Sequence, residues 1–270
     1  MKRMKRNQTI KTPQALRDVF ISQAHMLPYA KLDKNKKKYM GWVSDFGINF
    51  KNKRKTILKL QHENDRFLLF VLAVVWSRTG PWENAAYFVS YLKHRGEGRD
   101  TVKFWKEKKN RDKEKEEKLH NAIWIKTHGS PTERTISFRK DIFESIGVLA
   151  KNWDDIENRL KELRPKKNRN DEWQEFMNYI RQIKGLAVGE KQIFMKIPLI
   201  LRELRCQGWD GVPGKFCCVV DVRVRKACDA VGIKLIPNRQ DMKVLIENSE
   251  RVYAKFGDLY DIPLFAYKDL

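Results

Sequence analysis

The stretch GLAVGEKQIFMKIPLILREL, residues 185–204, carries two glycines and a lysine, then apolar residues at helical spacing. Gly189-Glu190-Lys191 therefore reads as a tight turn that opens a helix. The period of the residues after it predicts that this helix runs on through Leu204, with Pro198 inside it and expected to kink it. Two explanations account for the glycines. They end one helix and start the next, or they shape a hairpin that meets a phosphate backbone and presents Lys191. A glycine hairpin brings backbone N–H groups close to a ligand, and the following helix N-terminus is an anion site. Such a turn grips a phosphate without reading base sequence.

Outward from this stretch the pattern is helical. Upstream, FLLFVLAVVW (67–76) is capped by Asn64-Asp65 and interrupted at Thr79-Gly80-Pro81. WENAAYFVSYLK (82–93) then starts an amphipathic helix, so the two form a buried helical hairpin with a polar joint at Ser77-Arg78-Thr79. Residues 103–120 mix both charge signs with almost no apolar face and read as a solvated helix or excursion. Residues 121–138 fit brief strands or extended loops. From Asp141 the helical period returns, runs to Arg164, and resumes over DEWQEFMNYIRQIKG. Downstream come VVDVRVRKACDAVGI and RQDMKVLIENSERVYAKFGD, each with helical spacing. The chain is mostly α, without βαβ alternation or a glycine-rich nucleotide loop. Residues 1–60 form a basic N-terminal segment and residues 61–270 a helical domain.

The 270 residues include 56 Lys and Arg against 34 Asp and Glu, a formal net charge of +22. A surplus of that size points to a polyanionic partner, of which nucleic acid is the commonest, although lysine enrichment also serves solubility. Cys206, Cys217, Cys218 and Cys228 form no CxxC and have no histidine at zinc-finger spacing, so reduced thiols are expected rather than a metal site or a disulfide scaffold. The longest apolar run is short of the roughly 20 residues that span a bilayer. Basic Met1–Arg6 is followed by no apolar signal region. A cytoplasmic, nucleoid-associated monomer without membrane contact is the expectation.

Thirty residues beyond Lys191 stands Asp221, between Val219-Val220 and Val222, with Arg223, Arg225 and Lys226 after it. A carboxylate there is expected to be partly buried at a helix start. As a helix cap it needs no further role, since Asp accepts hydrogen bonds from first-turn amides.

Taken together, GLAVGEK and VVDVRV resemble the helix-hairpin-helix DNA glycosylase superfamily, which includes endonuclease III and the 8-oxoguanine glycosylases. There a hairpin of the form L-P-G-V-G-x-K is followed by V-D-x-H/R-V. The likeness covers residues 183–233, and FLLFVLAVVWSRTGPWENAAYFVSYL is similar to the family's early buried helix pair, whose joint reads L-S-x-Q. The interval from lysine to aspartate is like that of the archaeal 8-oxoguanine glycosylase branch. Leu186-Ala187 stand where Pro-Gly is usual, and Arg78 or Thr79 stands where glutamine is expected. The iron–sulfur cluster of endonuclease III has no counterpart, so no cofactor is implied.

The resemblance implies a two-lobed helical glycosylase fold that binds double-stranded DNA with a damaged or modified base. Lys191 takes the catalytic lysine position and Asp221 the catalytic aspartate position. Gly185, Val188 and Gly189 would meet the DNA backbone, with Arg223 and Arg225 either on phosphate or capping their own helix. Aromatic walls for a flipped base are sought in Trp76, Trp82, Phe194, Phe265 and Tyr267, and a wedge in Arg78 or Thr79. Lys215 reads as a second anion loop or a plain surface turn. The implied activity is a bifunctional DNA glycosylase and AP lyase, with 8-oxoguanine the first substrate. Two other readings use the same residues: an enzyme that excises or modifies a hypermodified base in phage DNA, and a non-catalytic helix-hairpin-helix DNA-binding protein.

Overall fold

The computed structural model describes residues 11–23, 32–33, 38–39, 56–79, 82–95, 101–107, 133–165, 169–186, 196–237 and 241–257. The chain forms two compact units, Gly41–Pro213 and a second one made of Met1–Met40 with Gly214–Leu270. The boundary falls between the 185–204 stretch and Asp221.

In the larger unit the helices are α2 (Glu63–Thr79), α3 (Trp82–Arg95), α4 (Thr101–Lys106), α5 (Glu133–Lys151), α6 (Trp153–Leu163), α7 (Asn170–Gln182) and α8 (Ile197–Cys206). Helix α2 organises them. Every residue from Phe67 to Val75 is at most 2% exposed, so the helix is apolar on all sides and has to be enclosed. Helices α3, α4, α5 and α8 pack against it. Each neighbour offers one stripe: Ala85, Phe88, Val89 and Leu92 of α3 recur at helical spacing, as do Ile142, Ile146 and Leu149 of α5. The Trp153 ring stands edge-on to Phe67 and Phe70 at 5.1 and 5.3 Å, and its indole N–H donates to Glu63 Oε1 at 3.0 Å.

Five local expectations change. Asp65 does not cap α2; it lies in the first turn, where its carboxylate accepts from the Lys59 amide and pairs with Lys93 Nζ at 2.6 Å. Residues 101–107 are no solvated excursion, because Val102 and Trp105 sit one turn apart on α4 and are buried, with Trp105 stacked on Phe143 at 5.5 Å. Residues 108–132 lie outside the described set. The segment Glu133–Phe138 is helix rather than strand or extended loop, since the apolar period of α5 carries back to Phe138 and outweighs the β-branched Thr135 and Ile136. The run from Asp141 to Arg164 divides at Asn152, whose side-chain amide bonds back to the Val148 carbonyl at 2.8 Å and ends α5. Pro198 causes no kink either. It occupies the first turn of α8, where its missing N–H would have had no intrahelical partner.

The buried charges Asp65, Arg66, Glu157, Arg202 and Glu203 of this unit are paired. The Arg66 guanidinium meets both oxygens of Glu157, through Nε at 2.8 Å to Oε2 and through Nη2 to Oε1, and Nη1 donates to the Leu60 and Gln61 carbonyls. Trp209 lies beneath both Arg66 and Arg164. The Gln207 side chain completes a pairing with the loop before α2, accepting from the Leu60 N–H and donating to the Leu58 carbonyl, each at 2.9 Å. Arg202 and Glu203 of α8 are fully buried and paired at 2.9 Å.

The second unit contains α1 (Pro13–Gln23), a two-residue antiparallel pair β1 (Leu32–Asp33) and β2 (Lys38–Tyr39), α9 (Val222–Ala230) and α10 (Met242–Phe256). Leu32 faces Tyr39 in the ladder, and Asp33 faces Lys38. Helix α10 is its centre, with α1 and a 3-10 turn at Gly214–Phe216 packed on it. Gly214 is forced: a Cβ there would stand 2.4 Å from the Tyr253 ring. Asn248, buried in α10, accepts from the Ile236 amide and donates to its carbonyl, which holds the chain between α9 and α10.

Removing one member of the Arg66–Glu157 pair leaves the other charge buried. Glu157→Ala is expected to cost about 3–5 kcal/mol, and Arg66→Met with Glu157→Met together less than that single change. Urea unfolding midpoints check this; a Glu157→Ala loss under about 1 kcal/mol would show the pair is not holding α2 to α6.

Candidate nucleic-acid site

The approach to the 187–195 segment is set by the end of α7. Ile183 leaves the helix in extended geometry, and the turn at 183–186 is closed by the Leu186 N–H to the Ile183 carbonyl. Gly185 has φ +88°, a conformation that side chains with a Cβ resist. Its carbonyl accepts from Ser145 Oγ at 2.8 Å, and an added Cβ would lie 3.2 Å from Val148. Gly185 therefore shapes a turn packed on α5, and Leu186 behind it is buried.

The exit from the same segment is also held. Lys196, the residue before α8, sets its ammonium 3.7 Å above the centre of the Trp76 ring. Trp76 belongs to the last turns of α2, so Lys196 stands beside the end of that helix. Trp76 is buried at 7% exposure, with this cation over it, and packs in the core of the unit. Arg78 and Thr79 end α2 and Trp82 opens α3, as the joint predicts. Val188, Gly189, Lys191 and Phe194 lie outside the described residues, as do Phe265 and Tyr267.

Asp221 opens α9 as its N-cap. Its Oδ1 accepts from the amides of Arg223 at 2.9 Å and Val224 at 3.0 Å, while Oδ2 takes no hydrogen bond among the described residues. The carboxylate is half-buried. It is not enclosed by three valines: Val219 and Val220 are buried, but Val222 is 48% exposed, because a helix start turns successive side chains outward by about 100°. The cap thus presents an oxygen beside an exposed valine. Arg223 is exposed, and Arg225 Nη1 donates to the Ile236 carbonyl at 3.0 Å, which ties it to its own unit. Lys215 pairs with Glu250 at 2.8 Å and sits in the 3-10 turn, a surface turn rather than an anion loop.

Two features went unpredicted. Lys196 gave no signal beyond one lysine among many, and its contact depends on where α2 ends. The exposure of Val222 follows from the cap and was readable once Asp221 was placed there. The cysteines are thiols. Burial, then the neighbouring Asp229, push the Cys228 thiol up to about 12 against a smaller opposing pull from Arg225, so it is no nucleophile at neutral pH.

Asp221→Ala removes an acceptor for two first-turn amides and is expected to cost about 1 kcal/mol, whereas Asp221→Asn keeps one and stays within about 0.5 kcal/mol of wild type. Gly185→Ala is expected to cost about 1–2 kcal/mol through its left-handed backbone and the Val148 contact. Thermal unfolding of the three variants checks both; an unchanged Gly185→Ala would mean that the turn is free to reshape.

No protein-family model matches this chain, and neither a curated protein nor a solved structure matches it.

Proposed function

We propose that this protein is a bifunctional DNA glycosylase and AP lyase that flips a damaged or modified base out of duplex DNA, with 8-oxoguanine the first substrate. The observation that carries the reading is the anchoring of the segment around Lys191 at both ends: Gly185 turns it off α5, and Lys196 rests on Trp76 at the end of α2. A nucleophile requires a defined place, and these two described anchors flank the segment that carries Lys191.

The chemistry assigns one task to each residue. Breaking the glycosidic bond builds positive charge on the sugar, and the free Oδ2 of Asp221 is an acceptor suited to that charge. The Lys191 amine, once neutral, attacks C1′ as the base departs. The C1′–O4′ bond of the resulting aminal then breaks, a proton passing to the ring oxygen, to give the Schiff base; loss of the acidified C2′ proton expels the 3′ phosphate and nicks the strand. Base flipping costs on the order of a few kcal/mol, which backbone contacts and the chain's surplus of Lys and Arg are there to offset.

A non-catalytic DNA-binding protein is favoured by one observation: the two amides at Oδ1 are a sufficient structural reason for Asp221. Incubation with a panel of lesion duplexes separates the readings. The enzyme releases a free base from one of them, detectable by mass spectrometry. Asp221→Asn should slow release at least 100-fold while leaving duplex affinity within about threefold, which corresponds to about 2.7 kcal/mol of transition-state stabilisation. On hypermodified phage DNA a lost base means excision and an enlarged one means group transfer. Salt-sensitive binding with no base change on any substrate would overturn the enzyme assignment.

A further inference from the structure

An open cleft of about 340 Å³ lies at the end of α7, lined by Asn152, Tyr179, Gln182, Ile183 and Lys184. Ile183 and Lys184 belong to the turn at 183–186, so the cleft adjoins Gly185. Its size falls within the range of small-ligand sites, about 300–1,000 Å³. The polar groups on its wall are available. The Asn152 amide nitrogen is spent on the Val148 carbonyl, and its Oδ1 takes no hydrogen bond among the described residues. Gln182 and Lys184 are exposed and likewise have no hydrogen-bond or ion-pair partner among them. Tyr179 is packed under the Arg159 guanidinium at 4.2 Å, which fixes its ring. Burial, then Asp155, raise its pKa against the opposing pull of Arg159, so the phenol stays a neutral donor.

That set has the chemistry of a base edge and a phosphate. Carboxamides offer the paired donor and acceptor that match nucleobase edges, aromatic rings and aliphatic side chains meet base faces, and a lone ammonium meets one phosphate. The wall has no carboxylate to hold a metal ion and one cation only, too few for a strongly acidic peptide. The neighbouring cleft of about 220 Å³ between α6 and α7 is the opposite case: Glu162, Glu172 and Glu175 line it with Arg159, and such a wall repels a phosphate backbone. We infer that the Asn152–Gln182–Lys184 cleft receives an extrahelical nucleobase of a bound DNA strand, its edge on the two carboxamides and its phosphate on Lys184. The inference rests on the DNA-binding reading above.

The test uses the full chain and undamaged duplexes, so that no turnover intervenes. Two fluorescein-labelled duplexes of the same sequence are compared by polarisation, one fully paired and one with a single unpaired adenine. Wild type should bind the bulged duplex about tenfold more tightly. Asn152→Ala and Gln182→Ala should each bring that preference down to about twofold or less while leaving affinity for the paired duplex within twofold. Lys184→Ala should weaken both and lower the salt dependence by about one phosphate. Gln182→Glu, at an exposed position that tolerates the change in folding, should abolish the preference as well. Equal affinity of wild type for the two duplexes, or a preference that survives the carboxamide variants, overturns the cleft assignment and leaves DNA binding standing. Absence of salt-sensitive binding to either duplex overturns both.

Discussion

One constraint governs the larger unit: α2 has no polar face. An amphipathic helix rests on one neighbour and faces water with the rest, but a helix buried from Phe67 to Val75 on every side needs a full ring of partners. Burial of each large side chain contributes roughly 1.5–3 kcal/mol, so leaving a sector of α2 open is costly. Helices α3, α4, α5 and α8 fill the ring, and their single apolar stripes follow from that duty. The charges admitted near it are paired. Arg66 uses its guanidinium on one carboxylate and two carbonyls, and the Trp153 indole N–H reaches Glu63.

The same enclosure fixes the two described anchors that flank Lys191. Because α8 must cover α2, its first residues come to the end of α2, where Lys196 meets Trp76. Because α7 ends on α5, the turn at Gly185 is packed against Ser145 and Val148. Structure and chemistry are linked at that point, since the packing that buries α2 also sets both ends of the segment bearing Lys191. Asp221 answers to a different local rule. It stands where a short helix begins, and the amides there fix one oxygen and leave the other. The surplus charge is distributed unevenly: residues 1–60 hold sixteen Lys and Arg against three Asp, a net +13 of the total +22. Long-range attraction to a polyanion is therefore concentrated in the basic segment rather than at Asp221.

Much of this was legible from periodicity. Helix α2, its break at Thr79, the amphipathic α3, and α9 and α10 with their Asp caps are all local patterns, and local patterns survive folding. Expectations failed where a partner distant in sequence decided. Charge density around Lys103–Glu107 concealed Val102 and Trp105, which count as core only when Phe143 is there to stack on. Asp65 looked like a cap until Lys93, 28 residues on, claimed it. Asn152 was unremarkable in a helical run, yet its bond to Val148 ended α5. At the site, Gly185 was readable as a turn because few residues accept its φ, but the burial of Trp76 depends on packing that no short window contains.

The central claim is that Lys191 is the amine that attacks the sugar. The direct measurement is borohydride reduction during reaction with a lesion-bearing duplex, followed by proteolysis and mass spectrometry of the trapped peptide. The account predicts a covalent protein–DNA adduct on the peptide containing Lys191, absent in Lys191→Gln while that variant still binds the duplex. An adduct of equal yield in Lys191→Gln, or one mapped to another lysine, would contradict it.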